Sequence, residues 1–116
     1  MYGCIGEQIA TELADTGATV YAGARDPTDI TATNQRAIEL DVTEESEITA
    51  AVDRIDTEAG QLDILVNNAG VMDSRDSLDE MPTDSIERTL TTNLHGPITL
   101  TKYALPLLLD RSGSRV

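Results

Sequence analysis

Leu62-Asp63-Ile64-Leu65-Val66-Asn67-Asn68-Ala69-Gly70 is an apolar run that ends in two amides and two small residues. Asp63 is the only polar residue among the first five. That pattern predicts a strand buried on both faces, because a half-exposed strand would alternate. In open parallel α/β sheets, ligands collect beyond the carboxyl ends of the strands. Small residues there let a ligand approach the backbone, and amides can satisfy polar groups at the strand end. The same four residues also fit an ordinary Asn-Gly-type turn, and the pattern alone leaves both open.

Upstream, Ile5, Ile9 and Leu13 recur every fourth position with Glu7, Gln8 and Glu12 on other faces, which predicts an amphipathic helix closed by Gly17. Residues 18–23 (Ala-Thr-Val-Tyr-Ala-Gly) are rich in strand formers, and Asp26-Pro27-Thr28-Asp29 is a turn signal. Residues 36–41 (Arg-Ala-Ile-Glu-Leu-Asp) predict a second strand. Thr43 is a candidate cap for a helix with Glu44, Glu45 and Glu47 at the positive end of its dipole. The apolar stripe of that helix is Ile48, Ala51, Val52, Ile55 and Ala59, and Gly60 ends it. Downstream, a polar loop from Gly70 to Pro82 leads into a long helix from Thr83 to about Asp110. Ser112-Gly113 breaks it, and Ser114-Arg115-Val116 reads as the start of another strand. Strands alternating with helix-length connections predict a parallel α/β sheet with right-handed crossovers, in one domain over residues 1–116.

The chain has 116 residues, enough for one small core but short for a sheet covered on both faces. Its net charge is −13, which makes nucleic acid and anionic membrane surfaces poor partners. Lys102 is the only lysine, and Phe and Trp are absent. An acidic, lysine-poor surface of this kind points to adaptation to concentrated salt, the alternative being a merely acidic mesophilic protein. Cys4 is the only cysteine, so an internal disulfide framework is excluded and a reducing cytoplasm is the expected location. No apolar run approaches membrane-spanning length, and the opening residues lack the regions of a signal peptide.

Asn67-Asn68-Ala69-Gly70 after a strand resembles the signature of the short-chain dehydrogenase/reductase family. Further matches fall in register with it. Gly3-Cys4-Ile5-Gly6 resembles the end of the family's Thr-Gly-x-x-x-Gly-x-Gly cofactor loop, Asp41-Val42 its adenine-binding pair, and Asn93, followed by Gly96, its active-site asparagine. The resemblance implies a doubly wound, Rossmann-like parallel sheet, here expected to be incomplete. The first strand and everything after the start of the fifth would be missing. It also implies hydride transfer between a nicotinamide cofactor and a small carbonyl or alcohol. Ile5, Gly6, Asp41, Val42, Asn67, Asn68, Ala69 and Gly70 would then hold the cofactor, and Asn93 would belong to the proton relay. There are departures from the family pattern. Cys4 stands where the family's second loop glycine belongs, and a side chain there crowds the pyrophosphate. The family's Tyr-x-x-x-Lys pair is absent, since Gly6, Arg25 and Leu107 lie four residues after Tyr2, Tyr21 and Tyr103. The resemblance therefore implies an enzyme by ancestry, with this chain alone neither active nor well folded. The alternative is a non-catalytic remnant, an interaction module or a subunit fragment.

Some positions can be argued physically beside the resemblance. Arg25 follows the second strand of the family scheme, where relatives that prefer NAD usually carry an acid. A guanidinium there suits the 2′-phosphate of NADP, although Asp26 is a candidate displaced acid and Arg25 also fits a solvated turn. Pro97 has no N–H, so it cannot make the α-helical bond to the carbonyl of Asn93, and a simple proline kink explains that as well. His95 has no second ligand candidate close in sequence, which argues against a metal. Leu105, Leu107, Leu108 and Leu109 are too apolar for one stripe. They predict either a homo-oligomer contact through the helix at 84–110 or packing within one subunit. With a net charge of −13, a chain completed with a relative's missing ends should melt at a higher temperature as KCl rises from low to molar concentration. A flat or falling midpoint would count against salt adaptation.

Overall fold

The computed structural model describes residues 4–68, 77 and 79–109. The expected strand start at 114–116, and Ala69 and Gly70, lie outside them. Helix α1 spans Cys4–Asp15. It ends in a Schellman motif: the Ala18 N–H reaches the Leu13 carbonyl at 3.3 Å and the Gly17 N–H the Ala14 carbonyl at 3.0 Å. The motif needs a left-handed residue, and Gly17 supplies it at φ 93°.

Strands β1 (Tyr21–Ala24) and β2 (Arg36–Glu39) pair in parallel, with Tyr21 opposite Arg36 and Ala24 opposite Glu39. The connection between them contains a one-turn 3₁₀ helix, Pro27–Asp29, capped by the Asp26 carboxylate, which accepts from the Thr28 N–H at 3.0 Å. Its exit residue Ile30 is buried against Ala22 and Ala24 and so covers one face of the pair.

Helix α2 (Glu45–Glu58) follows. Thr43 does not cap it. The cap position is Glu44, which makes no side-chain cap bond, because Thr43 is already turned back onto Asp41. The long helix expected from Thr83 is present but not uniform. It consists of α3 (Thr83–Leu90), a π-helical turn (Thr91–His95) and α4 (Gly96–Leu109).

Two apolar clusters lie on opposite faces of the sheet. Ala22, Ala24, Ile30 and Ala37 make one. The other joins Leu40 and Val42 to Ile48 and Val52 of α2, Leu100 and Tyr103 of α4, and Leu65. Helix α1 belongs to the first face, where Gln35, which has the parity of Ala37, donates to Thr11. Helices α2 and α4 cover the second. Tyr21, Arg36, Arg54 and Glu58 tie that face together from the outside. The Tyr21 hydroxyl donates to Glu58 at 2.8 Å, and Arg36 and Arg54 both pair with the same carboxylate. These ion pairs are exposed and add little beyond orientation.

The run at 62–66 departs from the expected buried strand. Ile64 makes only an isolated bridge, and Ile64 and Val66 are each 46% exposed. Among the described residues, β1 has β2 as its one ladder neighbour. A cavity lies between β1 and the 62–66 segment, so on that side no described strand buries the segment.

Gly96 is buried where α4 meets the loop after β2. A Cβ placed there would lie 2.6 Å from Val42 Cγ2 and 2.9 Å from the Val42 carbonyl oxygen. Backbone cannot yield as a flexible side chain does, so Gly96→Ala should destabilise the chain by about 1–3 kcal/mol. Urea unfolding in high salt measures it. An unchanged midpoint would show that α4 does not press on Val42.

Candidate cofactor site

Helix α1 runs back along the sheet from the carboxyl end of β1, since its last residue joins β1 through a short turn. Its first turn therefore sits at the same edge as the residues that follow each strand. Gly6 lies in that turn, and a Cβ there would come within 2.6 Å of Asn68 Nδ2. The missing side chain lets the helix start close against the end of the 62–68 segment. Ile5, beside it, is exposed.

Arg25 is the first residue after β1 and is exposed. Asp41 lies just beyond β2. Its carboxylate accepts from the Thr43 N–H at 2.9 Å and from the Thr43 hydroxyl at 2.6 Å. Partial burial pushes the Asp41 pKa up, but the two Thr43 bonds and the charge of Arg25 outweigh it and hold the carboxyl below its usual range. The Asp41 N–H donates to Glu47 Oε1 at 3.0 Å, which fixes this loop to the first turn of α2. Val42 is buried under Gly96.

Asn67 donates from Nδ2 to Thr101 Oγ1 at 3.2 Å, across to α4. Thr101 had no signal in the sequence, because only the fold brings it to the strand end. Asn93 stands in the π-helical turn. The Gly96 N–H there bonds the Thr91 carbonyl, five residues back, in place of the usual four. Pro97 explains why the regular ladder is not kept, and such turns recur at functional sites. Asn93 is exposed and has an interaction partner of its own. His95 Nδ1 lies 3.5 Å from the Thr99 hydroxyl, one turn on in α4.

The fold thus places Gly6 against Asn68, Arg25 within electrostatic reach of Asp41, and Val42 against Gly96, three residues beyond Asn93. All lie at or next to the carboxyl-end edge. Asp26 is different. Its carboxylate is engaged by the Thr28 N–H and by the Thr28 hydroxyl at 2.7 Å, and these bonds hold it below the ordinary carboxylate range.

A family model described as short chain dehydrogenase matches residues 2–116. An uncharacterized oxidoreductase of Bacillus subtilis, YxbG, is 32% identical over 119 residues, covering 95% of this chain and 44% of the relative. A 3-ketoacyl-(acyl-carrier-protein) reductase from Brucella melitensis, solved in complex with NADH, superposes with a TM-score of 0.83. It is 26% identical, over 90% of this chain and 46% of that one. ElxO, solved with NADP bound, gives a TM-score of 0.80 at 30% identity over 91% of this chain and 46% of its own. The chain spans less than half the length of these relatives. A family match over nearly every residue, joined to a carboxyl-end site of this build, shows that the chain belongs to the short-chain dehydrogenase/reductase family, with a partial Rossmann-like fold.

Proposed function

We propose that this chain is the cofactor-binding part of an NADP-dependent oxidoreductase that moves hydride between NADP(H) and a small carbonyl or alcohol substrate, and that by itself it does not turn over. The observation that carries the cofactor choice is the pairing of Arg25 with an engaged Asp26. Arg25 is exposed at the end of β1, where its guanidinium suits a phosphate, while Oδ1 of the neighbouring Asp26 is turned onto the Thr28 N–H and hydroxyl.

The residues fit a nicotinamide cofactor along this edge. Gly6 lets the first turn of α1 start close against Asn68, and a helix start favours phosphate, although Cys4 puts a side chain at this end of the helix where the family pattern has glycine. Arg25 would hold the 2′-phosphate by charge and fork geometry. Asp41 and Val42 would flank the adenine, and Asn67, Asn68, Ala69 and Gly70 would line the path of the ribose. Bound there, the cofactor supplies the hydride. The protein's share is binding and orientation, with Asn93 supporting a proton relay.

Tyr21 and Tyr103 support the absence of turnover. The Tyr21 hydroxyl is committed to Glu58 and Arg36 on the outer face of the sheet. The Tyr103 hydroxyl donates to Glu45, which raises its pKa and keeps it protonated. Neither has a lysine four residues on. Oligomerisation through the long helix is part of the same proposal. Leu94 (57% exposed), Ile98 (61%), Leu105 and Leu109 face outward, while Leu107 and Leu108 are buried. A cytoplasmic location and a preference for high salt complete it. No helix among the described residues is long and apolar enough to cross a membrane.

In a chimera whose remaining segments come from the Bacillus subtilis relative, NADPH should bind more tightly than NADH. Arg25→Ala should weaken NADPH by roughly tenfold or more and NADH by about twofold or less, as expected for one lost charge-assisted contact. Equal losses, or a preference for NADH before substitution, would overturn the NADP assignment. Residues 1–116 alone should show no NADPH oxidation across a panel of aldehydes and ketones. Turnover that Asn93→Ala abolishes would overturn the claim of inactivity.

A further inference from the structure

Glu47 of α2 stands where a capping-box acid is expected, the third residue after the Glu44 cap, yet its carboxylate goes elsewhere. In a capping box the acid reaches back to the N–H of the cap residue itself. Here the Glu44 N–H is already bonded to the Asp41 carbonyl at 2.9 Å. Glu47 reaches further, and its Oε1 accepts from the Asp41 N–H at 3.0 Å. We propose that Glu47 is a positioning residue for the nucleotide base: it fixes the backbone of Asp41 so that the Asp41 carboxylate meets the exocyclic amino group of an adenine. The inference rests on the cofactor reading of the carboxyl-end edge and extends it to a residue outside the motifs that identify the family.

The ladder explains why the Asp41 N–H needs this partner. The Arg36 N–H bonds the Val20 carbonyl at 2.9 Å and the Leu40 N–H bonds the Ala24 carbonyl at 2.8 Å, so the even-numbered residues of β2 face β1. The odd-numbered residues face away, where β2 has no second ladder neighbour among the described residues. Helix α2 supplies side-chain partners along that edge. Arg54 Nη1 donates to the Ala37 carbonyl at 2.8 Å, and Glu47 accepts from Asp41. The two side chains are seven residues apart, two helical turns along one face of α2. Each matches its target, a guanidinium for a carbonyl and a carboxylate for an N–H. Helix α2 therefore runs back along the edge of β2, with Glu47 at the carboxyl end, where the site lies.

The other bonds of Asp41 are local. The Thr43 N–H and hydroxyl both reach Asp41 Oδ1, at 2.9 and 2.6 Å, and the Glu44 N–H reaches the Asp41 carbonyl. They make residues 41–44 one turn but do not set where that turn sits. Val42, packed on Gly96, holds the turn against α4 without fixing its rotation, because apolar contact is not directional. The bond to Glu47 is directional and charge-assisted, and it supplies the remaining constraint. An amino group bonds a carboxylate well only at about 2.7–3.2 Å, so a turn free to rotate would lose an adenine. Repulsion alone would keep a second acid away from Asp41 in a chain of net charge −13, and the bond to the N–H is what Glu47 gains there.

The test titrates residues 1–116 in molar KCl with adenosine 2′,5′-bisphosphate and with inosine 2′,5′-bisphosphate, followed by the amide resonances. The two ligands share ribose and phosphates and differ in the exocyclic group of the purine, an amino group in one and a carbonyl oxygen in the other. The unsubstituted chain should bind the adenosine compound roughly tenfold more tightly. Glu47→Ala should bring that ratio to about twofold or less and speed hydrogen exchange at Asp41, while Glu47→Gln, which keeps an acceptor oxygen, should preserve both. Arg54→Ala removes the other α2 bond to the edge of β2 and should leave the ratio unchanged, which separates positioning from a general loosening of the helix. An adenine preference that survives Glu47→Ala, or that Arg54→Ala abolishes equally, would overturn the inference and leave the cofactor reading intact. So would equal binding of the two ligands before substitution. Binding of neither ligand by the unsubstituted chain would overturn the cofactor reading and this inference with it.

Discussion

The parallel ladder between Tyr21–Ala24 and Arg36–Glu39 is the constraint from which the rest of this molecule follows. Parallel strands require a crossover, and the crossover must cover a sheet face. Here a single 3₁₀ turn and the buried Ile30 do so, on the side of Ala22 and Ala24. The ladder also sends both strands toward one edge, which is why Arg25 and Asp41, far apart in sequence, come within electrostatic reach. Its two-residue period divides β1 into groups satisfied by β2 and groups that face the other way, toward the cavity.

Charge is distributed unevenly across this acidic chain. At the rim of the sheet, Arg36 and Arg54 share Glu58 and lie near the Tyr21 ring, which orients β1, β2 and α2 relative to one another. At the carboxyl-end edge the arrangement differs. Asp26 and Asp41 each accept two bonds from a threonine two residues on, and both are held in the charged form. Short-range hydroxyl and amide donors stabilise both carboxylates, the charge of Arg25 adds to this at Asp41, and Arg25 itself is exposed.

The long helix from Thr83 to Leu109 carries the other half of the site. Its π-helical turn accords with Pro97, which cannot donate to the Asn93 carbonyl. Gly96 then allows α4 to press directly on Val42, and Asn67 reaches Thr101 one turn further on. The loop after β2 and the helical segment that carries Asn93 meet through Gly96 and Val42, where there is no room for one extra methyl group.

Much of this was legible in the sequence. Ile5, Ile9 and Leu13 with Gly17 specify α1 and its end, because period and cap are local properties. Asn67-Asn68, Asp41-Val42 and Asn93 in register identify the family, since spacing along the chain survives without coordinates. Local rules failed where two partners competed for one group. Thr43 looks like a helix cap, but Asp41 claims it first. Leu62–Val66 looks like a buried strand, but burial and pairing belong to the neighbour across the sheet, and the structure puts a cavity there. The sequence by itself determined the course of the helices and turns, because period and chain-breaking residues act on neighbours a few positions away. Only the tertiary structure decided that Gly96 meets Val42 and that Thr101 meets Asn67, because those contacts depend on which surfaces the crossovers bring together.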